Sequence, residues 1–210
     1  MFKALEAIHI YPWEIVVVAV FAAILIYFKR ERKKVDEKKA AAAAPPKREP
    51  KVADSPEVKY RKLRLAALES TPEDRGLTAE PGKPFGALME IGMSSVVTLI
   101  CFADGDASLY YASGGGMIGG SAHESVRKSA QWFVALSRKA LPKMTRTDAF
   151  PMPEQDMVRF YVLAPEGVFT IATDRGSLAD PTSELSTLYF SGQEVVTQMR
   201  EVQELKAKPA

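Results

Sequence analysis

The sequence predicts an α+β domain carried behind a single membrane-spanning helix and a linker. Three observations predict it. An unbroken apolar run, Ile15 to Phe28, is followed at once by Lys29-Arg30-Glu31-Arg32-Lys33-Lys34. A charged stretch rich in alanine and proline comes next. Beyond Phe85, short apolar segments pair around turn signals, with helical stripes between and after them. That is the pattern of an antiparallel sheet of about five strands with flanking helices. The expected organisation is an anchor with a basic stop at 1–34, a flexible linker at 35–84 with a short helix at 57–70, and a globular domain at 85–207.

The anchor is argued from length and charge. Ile15 to Phe28 alone spans about 21 Å as a helix, less than the hydrocarbon thickness of about 30 Å. Starting near Ala7 gives about 32 Å. Trp13 and Tyr11 then sit at the interface. Glu14 is the weak point, since a carboxylate costs about 2.5–3.5 kcal/mol at the bilayer centre and less near its edge. The basic cluster follows the apolar run, whereas a cleaved signal peptide carries its charge before it. Lys29, Arg30 and their neighbours therefore predict a single pass, with the N-terminus outside and the C-terminal part cytoplasmic. In a bacterium this would be the inner membrane. Residues 29–39 could also contact anionic lipid.

The net charge of +2 hides an asymmetry. Residues 29–70 carry 14 basic and 7 acidic side chains, and residues 71–210 carry 13 and 17. The domain is thus mildly acidic, which argues against nucleic acid as a partner. Cys101 is the only cysteine, so neither an intrachain disulfide nor a cysteine-based metal site is possible.

The linker has few large apolar residues from Val35 to Pro56, and prolines punctuate it. Glu57 to Ser70 reads as a short helix. Tyr60, Leu63, Ala67 and Leu68 lie along one side, and Lys59, Arg61, Lys62 and Arg64 make the other side basic. Packing on the domain is its expected role.

Within the domain, Phe85–Met93 reads as a strand or a helical turn, and Ser95–Ala103 as a strand rich in β-branched and aromatic residues. Asp104-Gly105 predicts a two-residue type I′ hairpin turn into Ala107–Ser113. Gly114, Gly115, Gly116, Gly119 and Gly120 form a glycine loop. Ser121 with Glu124 makes a capping box for the next helix. Its stripe is Val126, Ala130, Phe133, Val134, Ser137 and Leu141, ended by Pro142. Asp156–Leu163 and Val168–Thr173 are further strands. A last helix, capped by Thr182 or Ser183, runs to about Ala207 with a break near Gly192.

The order of elements is similar to profilin-like sandwiches, above all roadblock and longin-type regulatory domains, which have a five-stranded sheet with a helix inserted between hairpins. At the level of residues, Leu88-Met89-Glu90, Asp104-Gly105, Ser108-Leu109-Tyr110, Gly114 to Gly120 and His123 with Val126-Arg127 resemble a group of uncharacterised bacterial proteins. Those share LME, a DG hairpin, SLY, GGGxIGG and HxxVR over roughly residues 85–200. The resemblance implies a bacterial origin and no function.

Chemistry could reside at the glycine loop. Backbone N–H groups at a helix start bind anions, and Ser121, His123 and Arg127 follow on the first turns. The loop is neither a Walker sequence nor a dinucleotide fingerprint, because the lysine and the parallel βαβ context are missing. His123 lacks a nucleophile elbow around it. The turn carboxylates Asp104, Asp106, Asp174 and Asp180 read as turn formers. No cofactor, metal site or catalytic set is expected. The sequence thus predicts a membrane-anchored interaction module that binds a protein partner or forms a homodimer. Its alternative is a sensor or enzyme for a small phosphorylated ligand at 114–120.

Overall fold

The computed structural model describes residues 29–30 and 54–207. The chain divides into two units, Met1–Val52 and Ala53–Ala210. In the first, Lys29 and Arg30 are helical and exposed. Trp13, Ile15 and Phe28 lie outside the described residues. Among those described, no helix is long and apolar enough to cross a membrane. The longest, Glu184–Ala207, interrupts its apolar stripe with Glu194, Arg200, Glu201 and Glu204. The expected single-pass anchor is corrected accordingly, and the inner-membrane placement goes with it.

The second unit is α+β. Seven strands form one antiparallel sheet, where about five are expected: β1 (Gly86–Ile91), β2 (Val97–Phe102), β3 (Ala107–Tyr111), β4 (Gly116–Met117), β5 (Thr145–Arg146), β6 (Met157–Ala164) and β7 (Gly167–Asp174). Their spatial order is β4-β3-β2-β1-β6-β7-β5. The two extra strands, β4 and β5, are two-residue pieces at opposite edges. Such short edges blunt the open row of backbone groups that a longer edge strand would present. These edge pieces account for the difference from the expected number of strands.

Three helices cover the sheet: α1 (Pro56–Leu68), α2 (Glu124–Ala140) and α3 (Glu184–Ala207). Alternation along the strands decides what each face buries. Ala87, Met89 and Ile91 of β1, with Leu99, Cys101, Leu109, Val158 and Phe160, meet the apolar stripes of α2 and α3. Leu88, Ile100, Phe102, Tyr161 and Leu163 meet Tyr60, Ala67 and Leu68 of α1 on the opposite face. The middle of the sheet is therefore covered on both sides, and its central strand β1 is buried along its whole length.

Local details depart from expectation in three places. The Asp104-Gly105 hairpin is a three-residue loop, with Phe102 N–H donating to Asp106 O and Gly105 N–H to Phe102 O. Only Gly105 has positive φ there, at 90°, so the turn is type I with a bulge; a type I′ turn needs two such residues. The β3–β4 turn repeats this geometry, with Tyr111 N–H bonded to Gly115 O and Gly114 at φ 107°.

The capping box does not form. Gly120–Ala122 is a 3-10 turn, and α2 begins after His123, whose side chain makes no cap bond. Gly120 is pressed so close that a Cβ would stand 2.5 Å from Val126 Cγ1. Finally, α3 runs unbroken through Gly192, where a Cβ would meet Met89 Cε at 2.7 Å. That glycine lets the helix approach β1.

Candidate functional site

α1 starts on Ser55, whose Oγ accepts from Val58 N–H at 3.4 Å, with Pro56 at the first helical position. The helix buries Tyr60, Arg64, Ala67 and Leu68. Arg64 thus faces the sheet, not the solvent side where the sequence reading placed it, and Leu63 is 41% exposed. The physical reason is a charge partner. Glu90, the penultimate residue of β1 and 0% exposed, points at α1. Arg64 Nε donates to Glu90 Oε1 at 2.5 Å and Nη2 to Oε2 at 2.8 Å. The same guanidinium donates to the carbonyls of Phe150 at 3.0 Å and Pro151 at 3.3 Å.

The network continues on both sides. Thr98 Oγ1 donates to Glu90 Oε1 at 3.2 Å and shares a 2.8 Å bond with the Tyr60 hydroxyl. Tyr161 O–H donates to Pro151 O at 2.6 Å, and its ring lies 5.5 Å from the Arg64 guanidinium carbon. Burial works against the Arg64 charge, but the bonds to Glu90 outweigh it and hold the guanidinium pKa above its usual value. Burial raises both Tyr60 and Tyr161, and the Glu90 charge adds to each. The network ties α1 to the central strand of the sheet.

Beside α1 the surface is concave. A cleft of about 370 Å³ is lined by Asp54, Pro56, Lys59, Tyr60 and Leu63 of the helix side and by Tyr110, Tyr111, Gly114–Gly116 and Ile118 of the β3–β4 hairpin. A second cleft, about 230 Å³, continues along the helix and shares Leu63, Tyr110 and Ile118 with the first. Ile118 is 71% exposed on the rim. The glycines shape this wall. A Cβ on Gly114 would stand 2.6 Å from Pro56, and one on Gly116 would stand 2.2 Å from Leu109 O.

The residues expected to form an anion pocket are spread over two places. Gly116, Gly119, Gly120 and His123 line a third cleft of about 200 Å³, closed by Met117, Val126, Met199 and Val202. Ser121 and Arg127 are not among its lining residues. Arg127 lies over the β2–β3 hairpin, where a Cβ on Gly105 would meet its Cγ at 2.2 Å. At that hairpin Asp104 and Asp106 both pair with Arg75, at 2.7 and 3.0 Å, and Arg75 lies 4.1 Å over the Phe102 ring. Among the described residues, no group of three or more His, Cys, Asp or Glu could hold a metal ion.

Sequence reasoning missed the Arg64–Glu90 pair and the groove. A signal for the first existed: Glu90 is the one charge in a strand that is otherwise apolar. The groove had none, because it depends on where α1 docks. Compared with known proteins, the chain matches no family model, no curated protein and no solved structure.

Proposed function

We propose that this protein is an interaction module that binds a protein partner or a second copy of itself and carries out no reaction. The observation that supports the reading is the apolar groove between α1 and the glycine hairpin. Its floor is aromatic, its rim carries the exposed side chains of Ile118 and Leu63, and its two clefts are continuous. Contiguous apolar surface rimmed by polar groups marks interaction sites.

The test is photo-crosslinking of the full chain in its native cell, with p-benzoylphenylalanine at position 118. The same label at exposed position 138 is the control. One or a few discrete adducts at 118 are expected. Adducts no stronger than those at 138 overturn the reading. The alternative, a phosphorylated small ligand at the glycine loop, draws less support, because Arg127 packs on Gly105 and does not line the His123 cleft.

A further inference from the structure

We propose that α1 is a releasable strap: it lifts off the sheet as a unit while the sheet stays folded, and Glu90 then passes from Arg64 to Arg159. The proposal goes beyond the interaction-module reading and does not depend on what the groove takes. Arg159 carries it. In the antiparallel pairing of β1 with β6, Arg159 stands directly opposite Glu90, as Thr98 of β2 does on the other side. Residues so paired share a face of the sheet, with Cβ atoms about 4.5–5.5 Å apart. Thr98 bonds Glu90, but Arg159 turns away. Its Nη1 donates to Thr170 Oγ1 at 3.4 Å, and its Nε is buried with no partner among the described residues. A buried donor left unpaired is costly. Glu90 thus has one guanidinium on the helix and another on the sheet beside it, and holds only the first.

The hold on α1 is narrow. Among the described residues, every hydrogen bond from the helix to the sheet or to the segment after β5 comes from Tyr60 or Arg64. A buried ion pair loses in hydration much of what it gains in attraction, so a contact built on one separates more cheaply than an apolar contact of equal size. Four of the thirteen residues of α1 are buried, and Val58, Leu63 and Leu65 are exposed. Clefts of about 370 and 230 Å³ run beside the helix, and one of about 360 Å³ opens at its C-terminal end by Leu68 and Phe150. Few buried contacts and open flanks mark segments that open locally.

The loop that follows is fastened separately. Arg75 pairs with Asp104 and Asp106, and Gly82 N–H donates to Glu166 Oε1 at 2.6 Å. The hinge therefore falls at Glu69 and Ser70, and the helix swings without pulling that loop from the sheet. Release bares Leu88, Ile100, Tyr110 and Tyr161, and Arg159 keeps the Glu90 charge compensated.

The experiment is hydrogen exchange of the full chain, read by mass spectrometry at rising urea. The amides from Tyr60 to Leu68 are expected to share one opening free energy, lower than that of β1 and β2 and less dependent on urea. Arg159→Met removes the second partner from the open state and should slow exchange in α1 about threefold, with β1 and β2 unchanged. Arg159→Lys keeps a cation opposite Glu90 and should exchange as wild type does. Arg159→Gln replaces the methionine variant if the latter loses protection in β1, and is held to the same threefold.

Exchange in α1 with the free energy and urea dependence of β1 overturns the proposal, because the helix then leaves only when the whole domain unfolds. Exchange graded from one end of the helix to the other is fraying, and overturns release as a unit. Fast exchange in α1 that the neutral variant of Arg159 leaves unchanged, or speeds, overturns the transfer of Glu90.

Discussion

Arg64 of α1 and Glu90 of β1 form a two-pronged ion pair inside the protein, with the arginine 6% and the glutamate 0% exposed. The pair joins the helix to the central strand of the sheet. Removing one member leaves the other charge buried without its partner, which costs about 3–5 kcal/mol in comparable sites. Glu90→Ala and Arg64→Ala are each expected to destabilise the domain by that amount. Replacing both with methionine restores apolar contact and removes both charges, so the double variant should be more stable than either single alanine variant. Urea unfolding followed by circular dichroism measures all three. A double variant as unstable as the singles would show that the pair's value lies in its bonds to Phe150 and Pro151.

Tyr60 and Tyr161 flank that pair, and both phenols ionise above the usual value of about 10. The folded state therefore prefers the neutral phenol more strongly than the unfolded chain does. Their contribution is fully present below about pH 10, where both states are protonated, and is lost as pH rises through the folded-state values. Stability measured in urea between pH 9 and 12 should fall in that window. Tyr60→Phe should flatten the fall, because the residue no longer titrates. A fall of unchanged depth in both Tyr60→Phe and Tyr161→Phe would place the alkaline loss elsewhere.

Cys101 is fully buried on β2, and burial raises its thiol pKa well above the ordinary range, with the nearby Asp106 charge adding to the effect. The thiolate is the reactive species. A disulfide reagent at pH 8 should therefore label the native protein only at the rate at which β2 opens, and label it at once in denaturant. Rapid labelling without denaturant would mean that the β2–β3 hairpin separates from the sheet on its own.

The five longer strands and three helices were legible because their signals are local. Alternation marks β6 and β7, and a 3.6-residue stripe marks α2, where Val126, Ala130, Phe133, Val134 and Ser137 are all buried. What was missed depends on contacts distant in sequence. β4 and β5 are two residues each, too short for a period to show. The basic face assigned to α1 split because Arg64 finds Glu90 26 positions away, while Lys59, Arg61 and Lys62 stay in solvent. The hairpin at Asp104-Gly105 took a third residue into its loop. Asp104 Oδ1 accepts the Asp106 N–H at 2.8 Å, a bond that the dipeptide alone does not specify. The groove was invisible for the same reason: Ile118 looks like any apolar residue in a glycine loop until α1 is placed beside it.

Gly92, just beyond β1, offers the sharpest test of a single backbone approach. Its N–H donates to Met157 O at 2.8 Å, and its carbonyl accepts from Asp156 N–H at 2.9 Å. The chain opposite is so close that a Cβ on Gly92 would stand 1.7 Å from Glu154 O. That atom is backbone, so no side chain can swing away to make room. Asp156, two residues on, already holds φ at 62°, a conformation uncommon for a residue with a side chain. Gly92→Ala must push the 154–157 segment outward and strain both bonds. Overpacking of this kind costs about 1–3 kcal/mol. Gly115→Ala is the comparison, because a Cβ there meets nothing within 4 Å and only its φ of 85° opposes the change. Thermal unfolding should place Gly92→Ala clearly below Gly115→Ala. Equal melting temperatures would mean that the β1–β6 junction yields without resistance, and that the register between those strands is held by the Arg64–Glu90 side of the sheet instead.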